Sequence, residues 1–160
     1  MATNPTVPRD SLFNDEARRS IQRRLDTLTS SSKGLWGKMT VNQMLCHLSD
    51  AYRVPTGERA CGPSGTFVHH TVLRWLALHT PMTWPKGAKT APDLDQAIGG
   101  TQPTDFDQDL AELRRLVEKF ASVAGEIDGV KQPIFGALTS SEWGRWGYRH
   151  ADHHLRQFGA

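Results

Sequence analysis

The sequence predicts an all-α protein, an antiparallel bundle of four main helices with one additional helix. Apolar residues recur at three- and four-residue steps in several segments, and two of those segments open with a capping box. No stretch alternates polar and apolar residues convincingly enough for a strand, and no long internal repeat is visible. The 160 residues are the usual size of one domain with one core, so residues 1–160 are read as a single unit.

Residues 1–11, with Pro5 and Pro8, read as a loose arm. Ala17, Ile21, Leu25 and Leu28 then mark an amphipathic helix whose outer face carries Arg18, Arg19, Arg23 and Arg24, a stripe expected to be solvated. Thr29, Ser30, Ser31, Ser32 and Gly34 end it. The second helix starts at Thr40, which can exchange capping hydrogen bonds with Gln43 while Met39 staples onto Met44. Pro55 and Gly57 stop it near Val54.

A third helix is predicted over Phe67 to Thr80. It is apolar on most sides and belongs, on that pattern, in an interior. Prolines and glycines without a sustained period make 81–103 a long loop, which could border the mouth of a cavity. The fourth helix starts near Thr104 or Asp105, where acidic residues complement the positive end of the helix dipole, and buries Leu110, Leu113, Val117, Phe120 and Ala124. Thr139 and Glu142 form the second capping box, with Leu138 placed to staple onto Trp143. The fifth helix runs from there to about Phe158, with Trp143 and Trp146 in the core.

Composition excludes several classes. Hydrophobic residues make up 38% and charged residues 22% of the chain, which fits a globular protein rather than a disordered one. The net charge of +2 and the dispersed cations give no nucleic-acid footprint. No apolar run is long enough to span a membrane, and the N-terminus lacks the apolar core of a secretory signal, so a cytoplasmic protein is expected. Cys46 and Cys61 then read as reduced thiols.

The chemistry points to histidine. On a wheel of about 100° per residue centred on Trp143, His150, His154 and Gln157 fall at about −20°, +20° and −40°, between Trp146 and Phe158. Arg145, Tyr148, Arg149, Asp152 and Arg156 lie on the opposite face, which is expected to be wet. Imidazoles four residues apart on a buried face can meet one metal ion; without it, protonated rings repel and neutral rings waste donors. His153 falls at the edge of the face, a rim position.

A third ligand must come from another helix, and His47, His69, His70 and His79 are the candidates. His47 is preferred for its well-capped helix, but that helix must then be buried on two faces, because Val41, Leu45, Leu48 and Tyr52 form a second apolar side. A single histidine on an apolar helix is more often a core residue bonded to a carbonyl, the reading held for His69, His70 and His79. Cys46 reads as a small buried hydrophobe. Asp50, one turn beyond His47, could be a base, an orienting group or a surface residue, and Gln43 and Gln157 could orient ligands.

The stretches Trp36–Leu48 (WGKMTVNQMLCHL), Phe135–Trp143 (FGALTSSEW) and Tyr148–Gly159 (YRHADHHLRQFG) resemble the DinB-like superfamily of YfiT-type metal-dependent proteins, nearest a branch of unknown function. The resemblance runs from about Asn14 to Phe158. It implies a four-helix bundle holding a divalent metal ion, commonly zinc or nickel, on three histidines, which map onto His47, His150 and His154. It also implies a small-molecule substrate: characterised members include transferases of low-molecular-weight thiols such as bacillithiol and mycothiol, a thiol-dependent isomerase, and proteins labelled as hydrolases. A homodimer is compatible with it. The expectation is therefore a metal-dependent enzyme that activates a thiol or water. The alternative is a non-catalytic, stress-related bundle that binds a small ligand or holds a structural metal.

Overall fold

A computed structural model describes residues 7–160, and among them the chain is mostly helical. Five α-helices run in the order α1 (Asp15–Leu25), α2 (Val41–Arg53), α3 (Arg74–His79), α4 (Phe106–Ser122) and α5 (Ser140–Gln157), and a π-helical turn, His69–Leu73, leads into α3. Two-residue strands, β1 (Lys131–Gln132) and β2 (Gly136–Ala137), pair antiparallel between α4 and α5. Strands that short have no alternation to read, so the sequence offered no sign of them.

The helix starts follow the local chemistry. Asn14 accepts from the amides of Glu16 and Ala17 at α1, and Asp105 from those of Asp107 and Gln108 at α4. Both capping boxes form, Thr40 with Gln43 and Thr139 with Glu142.

The core gathers Ile21 and Leu25 from α1, Met44, Leu45, Leu48 and Tyr52 from α2, Leu113, Leu116 and Phe120 from α4, and Trp143 and Leu155 from α5. The fully buried Tyr52 hydroxyl donates to the Gly147 carbonyl at 2.8 Å, which ties α2 to α5 through the core. Helix α2 packs most extensively on α4, and ten of its residues are buried, so the two-sided burial that His47 required is present. No helix of the described residues is long and apolar enough to cross a membrane.

Four sequence expectations are corrected here. The helix expected in the interior lies at the surface: Phe67 is 80% exposed and Trp75 58%, and within α3 only Leu78 is buried. The segment is short and meets the protein on one side. There Arg145 donates to the Leu78 carbonyl, and Arg149 to those of Ala77 and Thr80. Those same contacts half-bury Arg145 and Arg149 on the face of α5 that was expected to be wet, while Arg156 stays exposed.

The basic stripe of α1 is not simply solvated either. Arg18 bonds Glu118 at 2.9 Å and Arg24 bonds Asp152 at 2.7 Å, joining α1 to α4 and α5. The loose arm is fastened where it is described, with Ser11 buried and Asp10 paired to Arg145 at 3.4 Å. Residues 1–6 lie outside the described residues.

Candidate metal centre

Helices α2 and α5 bring His47, His150 and His154 together, and their ligand nitrogens all lie within 4.8 Å of one another. Among the described residues this is the one such cluster of histidine, cysteine or carboxylate side chains. All three imidazoles are buried. His47 Nε2 stands 3.0 Å from His150 Nε2. A tetrahedral ion with bonds of about 2.0–2.1 Å separates neighbouring nitrogens by about 3.3 Å, so this edge of the cluster is near the required spacing.

Two of the rings are oriented from behind. His47 Nδ1 donates to the Leu94 carbonyl at 2.9 Å. A carbonyl only accepts, so the proton sits on Nδ1 and the Nε2 lone pair faces the cluster. Gln157 does the same for His154. Its Nε2 donates to the Trp36 carbonyl at 2.9 Å, which turns Oε1 toward His154 Nδ1 at 2.8 Å and leaves the His154 Nε2 lone pair free. The turn after Trp36 needs Gly37, which has φ 78°, and a Cβ there would come within 2.6 Å of Gln157 Nε2. His150 has no such orienting bond, and its buried Nδ1 lacks a partner.

Burial pushes the His47 pKa below its ordinary value. Burial also pushes His150 and His154 well below theirs, and the neighbouring imidazoles add to the effect. The cluster is therefore neutral near pH 7, with two lone pairs aimed inward. Neutral imidazoles fixed by carbonyl and amide partners are the donor set that divalent metals take from histidine, and the residues fit such an ion.

Aromatic rings surround the cluster. The Trp146 ring lies 4.9 Å from that of His150, centroid to centroid, and the Trp84 ring 5.7 Å. Half-buried His153 sits beside Trp36, Trp84 and His154, the rim position expected of it, and burial lowers its pKa. Trp84 and His153 also line a cavity of about 170 Å³ together with Tyr148, Arg149, Asp152 and Arg156. The loop from Pro81 to Pro103 thus contributes both the Trp84 ring and the Leu94 carbonyl.

Other candidates lie elsewhere. The Gln43 side-chain oxygen is committed to the Thr40 amide at 2.9 Å, so Gln43 caps α2 rather than orienting a ligand. Asp50 is no free base. Its oxygens accept from Arg53, Arg59, Gln96 and, twice, Thr101, which leaves no lone pair for a proton from a substrate. Cys46 is buried, and burial together with Asp109 and Asp50 pushes its thiol up to about 12, so it stays protonated. His69 bonds Thr66 and His79 bonds Glu142, while His70 is exposed near Gly136. The Leu94 and Trp36 carbonyls had no sequence signature, since any residue supplies a carbonyl. Trp84, an isolated aromatic in a proline-rich loop, was the one visible hint.

Fold and site together define a helical protein with a buried three-histidine cluster that could hold a metal ion. The chain belongs to the family described as "Protein of unknown function (DUF1569)", whose model matches residues 13–160. No curated protein and no solved structure matches it with significant similarity.

Proposed function

We propose that this chain is a DinB-like antiparallel four-helix bundle, built from α1, α2, α4 and α5, and a metal-dependent enzyme acting on a small molecule. Its reaction is transfer of a low-molecular-weight thiol to an electrophilic acceptor, or a hydrolysis. His47, His150 and His154 would hold the divalent ion, with zinc or nickel the favoured metals. The ion would supply a Lewis acid that makes a thiol or water a competent nucleophile near neutral pH.

The observation that carries the reading is the convergence of buried, neutral imidazoles, two of them held in one tautomer by Leu94 and Gln157. The Trp84 and Trp146 rings pack against that of His150 and shield that side of the cluster from bulk water. A structural metal in a non-catalytic bundle would be closed by a fourth protein ligand. Among the described residues no fourth histidine, cysteine or carboxylate joins the cluster, which favours an open, reactive position.

The test is elemental analysis of protein purified without a histidine tag, comparing wild type with His47→Ala and His150→Ala. One bound metal ion per chain is expected in wild type and none in either variant, and equal metal content in all three refutes the site. The metal-loaded protein is then assayed with several thiols and an electrophile. Absence of turnover with every metal would move the reading to a structural centre.

A further inference from the structure

We infer that Asp50 is a positioning residue. Its carboxylate anchors the loop 92–101 so that the Leu94 carbonyl meets His47 Nδ1 and turns the Nε2 lone pair into the cluster. The role in metal binding rests on the function proposed above, whereas the effect on His47 is independent of it.

The argument begins with a cost. A carboxylate that is 0% exposed would be strongly destabilising unless its charge and lone pairs were matched. Two cations and three neutral donors match it. Oδ1 pairs with Arg53 at 2.9 Å and Arg59 at 3.2 Å and accepts from Thr101 Oγ1 at 2.7 Å. Oδ2 accepts from the Thr101 amide at 2.7 Å and from Gln96 Nε2 at 3.2 Å. Three of these five bonds come from the loop itself.

Arg59 extends the anchor. One of its nitrogens, Nη2, donates to the carbonyls of Asp93 and Gly99, each at 2.7 Å, so the cation that neutralises Asp50 also grips both ends of the loop's turn. Leu94 lies between those grips, in the 3₁₀ turn Pro92–Leu94, 5% exposed. The turn is tightly packed, since a Cβ on Gly100 would fall 2.5 Å from Gln96 Nε2 and 2.9 Å from the Asp95 carbonyl carbon. A loop held at Asp93, Gln96, Gly99 and Thr101 has little freedom to move the Leu94 carbonyl away from the imidazole. Asp50 lies one helical turn from His47 on α2, so a single rigid element carries both the ligand and the anchor for the group that orients it.

The experiment uses full-length Asp50→Asn and Arg59→Met, with Glu142→Gln as a control that weakens a buried ion pair far from the loop. Two readouts are taken. Long-range ¹H–¹⁵N spectra of the metal-free protein report the His47 tautomer, and competition with a chromophoric chelator reports the zinc Kd. A single Nδ1–H pattern for His47 is expected in wild type and in the control. Mixed tautomers are expected in Asp50→Asn and Arg59→Met, with zinc binding about tenfold weaker or more.

If Asp50→Asn does not fold, Arg59→Met, whose loss leaves the carboxylate paired with Arg53, carries the test. An unaltered His47 pattern in the folded variants overturns the inference, even where zinc affinity falls, because the effect would not pass through the Leu94 carbonyl. A changed pattern in a protein whose wild type takes up no zinc upholds the positioning role and refutes the metal centre instead.

Discussion

Replacing Gln157 with leucine isolates the support behind one imidazole. Gln157 is 5% exposed and bridges the His154 Nδ1–H and the Trp36 carbonyl with bonds of 2.8 and 2.9 Å. Leucine has nearly the same volume and neither polar group, so the change removes two hydrogen bonds with little loss of packing. The bond to His154 is worth about 0.5–1.5 kcal/mol net, and without it the proton can move to Nε2, which would block the ligand position. Removing a group of this kind typically weakens metal binding by about 10–100-fold, and the bond energy alone accounts for about 2- to 13-fold of it. The stranded Trp36 carbonyl adds a separate loss of about 1–3 kcal/mol in stability. Chelator competition measures the first effect and denaturant melts of the metal-free protein the second. Gln157→Glu keeps the acceptor for His154 and should retain metal affinity. A zinc Kd for Gln157→Leu within about twofold of wild type, with stability reduced, would show that Gln157 serves the fold and not the ligand.

Two further outcomes follow from the packing and the charges. Gly147→Ala should destabilise by about 1–3 kcal/mol, although alanine in a helix interior is ordinarily better than glycine by about 1 kcal/mol. The added Cβ would stand 2.6 Å from Phe120 Cε1 and 3.1 Å from Leu12 Cδ1, and denaturant unfolding showing a gain in stability would contradict this. For Glu142, burial pushes the carboxyl pKa up, but the Arg74 guanidinium and the Thr139 amide outweigh it and hold the group at about 2, below its usual 4.5. A depressed carboxyl stabilises above its unfolded pKa and loses that contribution as pH falls through the folded one. Wild type should therefore exceed Glu142→Gln by about 2 kcal/mol at pH 7, with the gap closing between about pH 4.5 and pH 2. A gap that stays constant over that range would exclude the ion pair as its source.

The late pair of the clustered histidines was legible because both constraints on it are local. His150 and His154 share a face by helical period, and that face is marked by Trp143, Trp146 and Phe158. Gln157 falls on the same arc and makes the contact such a neighbour can make. His47 was harder to single out: the residues left four candidates, the well-capped helix only favoured His47, and the family resemblance settled the choice. Asp50 stayed open between a base, an orienting group and a surface residue, because spacing placed it near His47 but could not show that Thr101, Gln96 and Arg59 would consume its lone pairs.

Periodicity, capping boxes and proline punctuation by themselves determined the helical class, four of the five helices to within a few residues and the buried face of α5, because these depend on neighbours three or four residues apart. The tertiary structure decided the rest. It placed the apolar helix around Trp75 at the surface, set the arginines of α1 and α5 against their partners, and brought the Leu94 and Trp36 carbonyls behind the histidines. Those outcomes turn on where distant backbone and side-chain groups meet, and a carbonyl that orients an imidazole from 47 positions along the chain leaves no trace in the identity of its residue.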